Sequence, residues 1–409
     1  MSVNKPLEGV RVVELSTHVS APSCGRLLTD WGADVIKVER PEGDDLRDFG
    51  IAYGLPANEM ENPIFDQLNG NKRGIALDLK TPDGKEAMFK LLSTADIFLT
   101  NNRAKALVKN GLDYETLSAR FPRLIYATIT GYGDIGPDKD RAGMDTSAFW
   151  GRSGFLVDLS IDSEYAQPVG IPSGMGDLIT SGMLFGGITT ALYAREKTGK
   201  GDYVTISLFG AAAWVLNVMT VATQEPWNRK YPRTRLETSP TPYKTKDGEW
   251  IIPSVLVGFD KFLPALCRAT GRSELIEDPR FSTKTNFTKP DNLAAFIAIM
   301  EQEFAKKTAD EWQPIFDAEG VNYSRLGHMK DILNSEQALI NGYVREHTSR
   351  NGHKCRITVP PIQSRNVGLA PETYAPKIGE HTAEILRELG YSEQEIQSMC
   401  ESGAVRDNP

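Results

Sequence analysis

One stretch of the sequence combines residue types that could carry out covalent chemistry. Within residues 169–183, the run Gly174-Met175-Gly176-Asp177 leads into an apolar segment, so Asp177 is predicted to open a helix. One interpretation of an aspartate at this position is purely structural, as the N-cap of that helix. Alternatively, the helix dipole keeps the carboxylate anionic and able to attack an acyl group, while Gly174 and Gly176 offer backbone N–H groups to the developing oxyanion.

A second feature is a set of basic side chains in the first part of the chain. Several of them are predicted to lie at strand ends or in the loops that follow, where open α/β sheets bind ligands. The set suits a polyanionic small ligand, although each residue alone is typical of a solvated surface. Its members are Lys37, Arg40, Lys72, Arg73, Lys80, Arg103, Lys105 and Lys109.

Several well-known catalytic and cofactor motifs do not occur in the sequence. The turn at residues 16–22 contains no glycine-rich dinucleotide fingerprint, although Glu39 stands where a ribose-binding acid would. The P-loop, the HExxH zinc motif and the GxSxG nucleophile elbow do not occur either, and the five histidines lack metal-ligand spacing. The sequence therefore gives no support to NAD or FAD binding, a metal site or serine hydrolase chemistry.

These residues fall within an alternation of strands and helices. β-Branched runs predict buried strands at 9–15, 33–39, 74–79, 95–100 and 124–129. A strand, a helix and a strand within about 30 residues form a βαβ unit, which implies a parallel sheet. A long helix is predicted from Asp177 to about Glu196. The chain up to about residue 223 is therefore predicted to be a doubly wound, Rossmann-like α/β domain.

The pattern changes after a polar, proline-rich stretch at 225–242. Asp247-Gly248 predicts the turn of a hairpin. Amphipathic helices are predicted near 258–270, 290–304 and 308–318. This part of the chain is predicted to be a smaller α+β domain.

Composition and charge narrow the class of protein. The chain has 409 residues and a net charge of −8, which argues against nucleic-acid binding through global charge. Its four cysteines are far apart and its first residues do not resemble a signal peptide, so a cytoplasmic location is expected. Residues 204–224 are uncharged and long enough to span a bilayer, yet they contain polar residues and begin like a strand. We therefore predict a buried strand and a buried helix there, not a membrane span.

Taken together, seven segments resemble the family III CoA-transferases, a family that includes formyl-CoA, carnitine and 2-hydroxyacyl-CoA transferases. The resemblance runs over essentially the whole chain. The segments are PLEGVRVVEL at 6–15, GADVIKVERPEGD at 32–44, NKRGIALDLKTPDGK at 71–85, ITGYGDIGPDKDRAGMD at 129–145, GMGD at 174–177, KTGKGDYVTISL at 197–208 and GEHTAEILRELGY at 379–391.

The resemblance implies an architecture and a set of site residues. Members of the family form interlocked homodimers of a doubly wound large domain and a small domain. For this chain it implies a large domain from residues 1–223, a small domain with its linker at 224–330 and a return to the large domain at 331–409. Asp177 matches the catalytic aspartate. The family's contacts to CoA fall on Arg40, Leu77, Asp78, Leu79, Lys80 and Asn101, with Ala106 and Lys109 beside them and Tyr132 near the acyl group.

The resemblance also implies a reaction. CoA would pass from an acyl-CoA thioester to a free carboxylic acid through covalent aspartyl intermediates, with no metal and no tightly bound cofactor. Val19 stands where oxalate-type members have glutamine, and the tetraglycine loop is missing, which argues against oxalate or formate. The segment after Asn101 is most similar to the branch that acts on (R)-2-hydroxy acids. Four apolar residues would suit an aromatic or branched acyl group but are equally typical of a core: Met144, Phe149, Trp150 and Met175.

Three other functions are open as alternatives. α-Methylacyl-CoA racemases resemble this chain but pair the aspartate with a histidine, where Met144 stands here, and methionine cannot exchange a proton. A CoA-binding protein without catalytic activity would not need the complete motif around Asp177. An oxidoreductase would need the glycine fingerprint that the first turn lacks.

Overall fold

The computed structural model describes residues 5–48, 57–58, 60–158, 171, 174–226, 241–368 and 374–408. The chain divides into two compact units. The larger comprises residues 1–156, 170–220 and 333–409, and the smaller comprises 157–169 and 221–332. The larger unit is therefore assembled from segments that lie on both sides of the smaller one in the sequence.

Six parallel strands form most of the sheet in the larger unit. The β-branched runs become its strands because branched side chains fit a pleated, buried surface. The five strands predicted from the sequence are confirmed, and they are the first five of the six strands named next. The strands are β1 (Arg11–Leu15), β2 (Asp34–Glu39), β3 (Arg73–Leu77), β4 (Ile97–Thr100), β5 (Ile125–Thr130) and β6 (Tyr203–Ser207).

Helices connect these strands. The predicted long helix is confirmed, and Gly199 ends it in a left-handed conformation with a φ of 71°. Short 3₁₀ and π-helical turns occur at Asp45–Asp48 and Asp145–Gly151. From residue 20 to residue 221 the helices are α1 (Ser20–Asp30), α2 (Pro63–Asn69), α3 (Pro82–Leu92), α4 (Ala104–Asn110), α5 (Tyr114–Arg120), α6 (Phe155–Asp158), α7 (Met175–Thr198), α8 (Leu208–Val215) and α9 (Asn217–Val221).

Both faces of the sheet are covered. Successive residues of a strand point to opposite faces, and β1 shows the result. Val12 packs in one buried cluster with Leu28 of α1 and Leu184 of α7. Val13 packs in a second cluster with Met88 of α3. The predicted α/β class, with a mainly parallel sheet between layers of helices, is confirmed.

The smaller unit is a mixture of helices and a three-stranded sheet. The predicted hairpin forms, with Gly248 in its turn at a φ of 88°. The three predicted amphipathic helices form around a core rich in phenylalanine. The elements are β7 (Tyr243–Lys244), β8 (Trp250–Pro253), α10 (Phe259–Ala269), a 3₁₀ turn (Ser273–Ile276), α11 (Lys284–Phe287), α12 (Pro290–Phe304), α13 (Ala309–Glu319), β9 (Tyr323–Arg325) and α14 (Met329–Ile332).

The C-terminal segment returns to the larger unit and completes its sheet. Its last strand pairs antiparallel with β3, so the full order is β12-β3-β2-β1-β4-β5-β6. Two further strands of this segment form a separate antiparallel pair. The elements are α15 (Glu336–Ile340), β10 (Val344–Thr348), β11 (Lys354–Thr358), α16 (Thr382–Glu388), α17 (Glu393–Glu401) and β12 (Val405–Arg406).

The uncharged stretch at 204–224 differs in part from the prediction. It forms most of β6 and then α8 and α9, but the helices are not buried throughout. Leu208 and Ala211 are buried, whereas Trp214 is 67% exposed and Val218 is 75% exposed. In the described part of the chain, none of the helices has the length and apolar character needed to cross a bilayer.

Candidate active site

The strand order creates a crevice beside β1. From β1 the chain first builds outward through β2 and β3 and then, on the other side, through β4, β5 and β6. Where the direction reverses, the loops after two neighbouring strands separate and leave a crevice at their carboxyl ends, which is the usual ligand site of such sheets. Here that place lies between β1 and β4.

Asn101, directly after β4, holds this crevice together. Its Nδ2 donates to the backbone oxygen of Thr17 at 2.8 Å, and its Oδ1 accepts from the backbone N–H of Thr17 at 3.1 Å. The same Nδ2 reaches the hydroxyl of Ser20 at 3.3 Å. The predicted site residue Asn101 therefore fixes the loop after β1 and the first turn of α1. A contact between Asn101 and CoA stays a prediction.

The loop after β1 is also held by a hydrogen bond to a buried side chain. His18 has a φ of 62°, a left-handed conformation that is uncommon for a residue with a side chain. Its backbone N–H donates to Asp44 at 3.1 Å, and the other oxygen of Asp44 lies 2.9 Å from the ammonium of Lys37. Both of these charged side chains are buried. The loop that faces the crevice is thus held by a buried ion pair.

Three of the predicted ligand-binding cations have structural roles instead. Lys37 and Lys72 are completely buried and lie 3.4 and 2.8 Å from the carboxylate of Glu14. Arg73 pairs with acidic side chains of the same unit, among them Asp34 at 2.7 Å. Buried charges require partners of opposite sign, and Glu14 supplies one to both lysines. The prediction that these three cations face a polyanionic ligand is wrong.

Asp177 lies at the amino end of α7, as predicted, but it is not the N-cap. The helix begins at Met175, so Asp177 is its third residue, and the N-cap position belongs to Gly174 with a φ of 86°. Gly174 has no side chain to accept a hydrogen bond. Asp145 accepts instead, from the N–H of Gly174 at 2.9 Å and from that of Asp177 at 3.1 Å.

The environment of Asp177 makes its carboxyl group unusually basic. Burial raises the pKa of Asp177, the negative charge of Asp145 raises it further, and a hydrogen bond with Ser20 opposes the shift. The resulting pKa is about 7. A carboxyl group in this range is ionised in a large fraction of molecules at neutral pH and is more basic than an exposed aspartate, which suits a nucleophile.

The hydroxyl of Ser181 joins α1 to α7 at this point. Its oxygen lies within hydrogen-bond distance of the backbone oxygens of Ser20 and Asp177, and its single proton can be donated to either of them. Ser181 and Ser20 are both buried. The helix that carries Asp177 and the helix that carries Ser20 are therefore in direct contact at this point.

A groove of about 370 Å³ lies beside the crevice, at the carboxyl ends of β2 and β3. The structure brings together in its lining five residues predicted to contact CoA: Arg40, Leu77, Asp78, Leu79 and Lys80. Thr17, which Asn101 holds, also lines the groove. The loop after β1 therefore contributes to the groove and is also bound to Asn101 at the crevice.

Four carboxylates and two cations line the groove: Glu39, Glu42, Asp44 and Asp78, and Arg40 and Lys80. Glu39 pairs with Arg47 at 2.6 Å, and Asp44 pairs with Lys37, so two of the carboxylates in the lining are neutralised. Arg40 and Lys80 are exposed cations at the same place, although Arg40 also contacts Asp45. Cations of this kind can pair with phosphate groups.

The remaining predicted contact residues are absent from the lining of this groove. Ala106 and Lys109 are exposed on α4, the helix whose last residue, Asn110, lines the groove. Tyr132 follows β5, and the guanidinium of Arg141 lies 5.5 Å from its ring centre. Neither α4 nor Tyr132 is placed by the structure against the Asp177 carboxyl.

The structure decides between two pairs of alternatives that the sequence left open at the acyl end of the site. The N–H of Gly174 donates to Asp145, so it is not available to an oxyanion as the sequence had suggested. Phe149 and Trp150 are 0% and 4% exposed and belong to the core on one face of the sheet. Met144 and Met175 are exposed, and each is next to a residue that takes part in the hydrogen bonds at the start of α7.

Sequence reasoning missed Asp145 and Asp44 as parts of the site, and it included Ser20 only as a member of the predicted loop 17–21, which the family resemblance places at the site. Asp145 lies 32 residues before Asp177, and no local pattern connects the two. Asp44 acts on the backbone of His18, which gives no side-chain signal in the sequence. The one clue was Ser20, which directly follows the loop after β1 and starts a helix.

Comparison with known proteins was made for sequence and for structure. The family model of CoA-transferase family III matches residues 7–382. The chain is 37% identical over 404 residues to the (R)-2-hydroxy-4-methylpentanoate CoA-transferase of Clostridioides difficile, covering 98% of this chain and 99% of that protein. It is 39% identical over 399 residues to the cinnamoyl-CoA:phenyllactate CoA-transferase of Clostridium sporogenes, covering 96% and 95%. The crystal structure of a CAIB/BAIF family protein from Brucella suis is similar with a TM-score of 0.77 at 30% identity, covering 94% of this chain and 100% of that one.

Proposed function

The chain belongs to CoA-transferase family III, and we propose that it moves CoA from an acyl-CoA thioester to a free carboxylic acid with Asp177 as the covalent nucleophile. The observation that carries this proposal is the position of Asp177. Its part-buried carboxyl group has a raised pKa, lies at the amino end of α7 and interacts with Ser20. Asn101 contacts both Ser20 and Thr17, and Thr17 lines the groove. A thioester bound along the groove would reach the carboxylate at the crevice.

The first half of the reaction removes the acyl group from CoA. A carboxylate oxygen of Asp177 attacks the thioester carbonyl carbon, the C–S bond breaks, and CoA leaves as a thiolate. The products are an acyl-aspartyl anhydride and the bound thiolate. The thiolate then attacks Cγ of Asp177, the donor acid leaves as a carboxylate, and an aspartyl-CoA thioester forms.

The second half repeats these steps in reverse with the acceptor acid. Its carboxylate attacks Cγ of the aspartyl-CoA thioester and releases the CoA thiolate. The thiolate attacks the acceptor's carbonyl carbon in the new anhydride, which gives the new acyl-CoA and restores the Asp177 carboxylate. Thioester and carboxylate are exchanged for thioester and carboxylate, so the reaction needs no ATP. The amino end of α7 stabilises negative charge throughout.

The exposed apolar side chains at the start of α7 support an aromatic or branched acyl group. Met144 precedes Asp145 in the sequence and Met175 follows Gly174, and both methionine side chains are exposed. Methionine adapts its shape to irregular apolar ligands. The names of the two bacterial relatives contain a branched and an aromatic 2-hydroxy acid, and we propose acids of this kind as substrates.

A homodimer is part of the proposal. Helices α7 to α9 leave large apolar side chains exposed, among them Tyr193, Trp214 and Met219. Many exposed large apolar side chains on neighbouring helices are typical of a subunit interface. We propose that a second copy of the chain covers them, in the interlocked manner expected from the family. The wide spacing of the four cysteines along the sequence also supports the proposal of a cytoplasmic location.

A transfer assay tests the function directly. Purified protein is incubated without ATP with acetyl-, cinnamoyl- or isocaproyl-CoA and a panel of carboxylic acids that includes 2-hydroxy acids, and acyl-CoA products are separated by chromatography. We expect new acyl-CoA species with the wild type. Asp177→Asn removes the nucleophile with little change in shape, and we expect it to lower turnover at least ~1,000-fold.

Asp113→Asn serves as the matched control. Asp113 caps α5 by accepting from the N–H of Thr116 at 3.0 Å, so the same chemical change is made at another helix. Its transfer activity should equal that of the wild type. Unchanged activity of Asp177→Asn would refute the nucleophile. Loss of an α-proton to deuterated solvent, without any transfer, would instead favour the racemase alternative.

A further inference from the structure

The first turn of α7 carries backbone N–H groups that need acceptors from outside the helix ladder. Asp145 meets this need from the π-helical turn Asp145–Gly151, with one carboxylate oxygen on the N–H of Gly174 and the other on that of Asp177. We propose that Asp145 is the positioning residue of the site: it caps α7 from another segment and thereby keeps the Asp177 side chain free to react. This inference rests on the proposed role of Asp177.

Without Asp145, the Asp177 carboxylate would be expected to bind a backbone N–H group of its own helix. An acidic side chain on the third residue of a helix commonly folds back to accept from the N–H of the N-cap residue. In α7 the third residue is Asp177 and the N-cap is Gly174. The N–H of Gly174 already donates to Asp145. The usual intrahelical partner of the Asp177 carboxylate is therefore occupied.

The glycines of the motif make this arrangement possible. A Cβ on Gly176 would lie 2.4 Å from Oδ1 of Asp145 and 2.4 Å from the ring of Phe149, so any side chain there would push the carboxylate away. Gly174 adopts a φ of 86°, which glycine permits without strain. Gly176 thus leaves space for the Asp145 carboxylate, and Gly174 permits the backbone conformation at the start of the helix.

The segment that carries Asp145 is itself fixed against the sheet. A Cβ on Gly143 would lie 2.5 Å from Cα of Gly131, so the two backbones are in close contact just beyond the end of β5. Asp145 is 5% exposed. A buried carboxylate that accepts hydrogen bonds from two backbone N–H groups is well suited to fix the position of another residue.

Asp145 also acts on Asp177 through its charge. Burial is the largest cause of the raised pKa of Asp177, the charge of Asp145 is the second, and the hydrogen bond with Ser20 from α1 opposes both. Replacing Asp145 by a neutral residue would therefore lower the pKa of Asp177. A residue with only a structural role elsewhere in the fold would not change it.

Hydrogen exchange measured by mass spectrometry tests the cap without using activity. In Asp145→Asn one of the two N–H groups faces an amide NH₂ instead of an oxygen. We expect the amides in the first turn of α7 to exchange at least tenfold faster than in the wild type. In the control Asp113→Asn, the same turn should exchange as in the wild type, because Asp113 caps α5.

Kinetics supply the second measurement. We expect Asp145→Asn to lower kcat at least tenfold and to move the acid limb of the kcat/KM profile to lower pH, with a smaller change in KM for the acyl-CoA. Gly176→Ala keeps the charge of Asp145 but displaces its carboxylate, so it should show the faster exchange as well. If Asp145→Asn does not fold, Gly176→Ala alone decides.

Wild-type exchange at the start of α7 in a folded variant of either kind would overturn the inference. An unchanged pH profile in Asp145→Asn would overturn the part that concerns charge. The transfer assay tests the proposed function separately, because hydrogen exchange of the backbone amides does not depend on enzyme activity. If Asp177→Asn keeps its activity, the nucleophile is wrong, and the exchange result for Asp145 still decides whether it caps the helix.

Discussion

At the scale of single residues, Asp177 has to satisfy two opposing demands. It must be ionised to attack a thioester, and it must be basic enough to be a good nucleophile. Burial and the charge of Asp145 raise its pKa to about 7, and the hydrogen bond with Ser20 limits the rise. The balance leaves a reactive carboxylate that is still ionised near neutral pH.

This pKa predicts how activity depends on pH. Below about pH 7 the Asp177 carboxyl holds a proton and cannot attack, so kcat/KM should fall as the pH decreases through 7. The profile measured from pH 5 to 9 checks this. Ser20→Ala removes the interaction that lowers the pKa, and we expect its acid limb to shift upward. A limb near pH 4, as for an exposed aspartate, would contradict the prediction.

The sequence indicated Asp177 correctly as the start of a helix, but it could not separate ligand-binding cations from structural ones. Lys37 and Lys72 resemble Lys80 in the sequence, yet the first two are buried against Glu14 and the third is exposed. The burial of these two lysines depends on the carboxylate of Glu14 in β1, which comes close to them only when the sheet has folded. Pairing across strands leaves no local signal of this kind.

At the scale of elements, the ends of four parallel strands define where a ligand can bind. The loops after β1 to β4 all contribute to one groove because parallel strands end at the same edge of a sheet. Arg40 follows β2 and Lys80 follows β3. Both cations therefore lie on the same edge, although they are far apart in the sequence.

We predict that Lys80→Glu weakens acyl-CoA binding without changing the chemistry. The exposed cation would be replaced by an anion, and we expect KM for the acyl-CoA to increase roughly three- to tenfold with kcat nearly constant. Lys200→Glu is the matched control, since Lys200 is exposed and precedes β6 at the opposite edge of the sheet. The increase should shrink as salt is added. An equal effect of both variants would refute a role for the groove.

Most elements could be predicted from the sequence because their signals are local. β-Branched runs indicate β1 to β5, and Gly199 marks the end of α7. Burial of whole elements was harder to predict. The apolar stretch that becomes α8 and α9 was expected in the core, yet Trp214 and Val218 are exposed. An apolar residue can be covered by its own chain or by another copy, and the sequence of one chain does not distinguish these.

At the scale of the whole molecule, the exposed face of α7 to α9 predicts the oligomeric state. We expect light scattering after size-exclusion chromatography to give twice the mass of one chain. Trp214→Asp places a charge within the apolar surface and should reduce the mass to that of a monomer. Val257→Asp, at another exposed apolar residue, should remain a dimer. A monomeric wild type would refute the proposed homodimer.

The pairing of β12 with β3 has a consequence for biosynthesis. Ala404, just before β12, accepts a hydrogen bond at 2.8 Å from the N–H of Asp78, in the wall of the groove. A ribosome adds about 5–20 residues per second, so β3 waits roughly 15–65 s for this partner to be translated. During that time it is an open edge that can recruit a strand of another nascent chain. The wall of the groove gains this hydrogen bond only when residues 404–406 have emerged, so we expect nascent chains that lack them to depend on chaperones and to have no affinity for acyl-CoA.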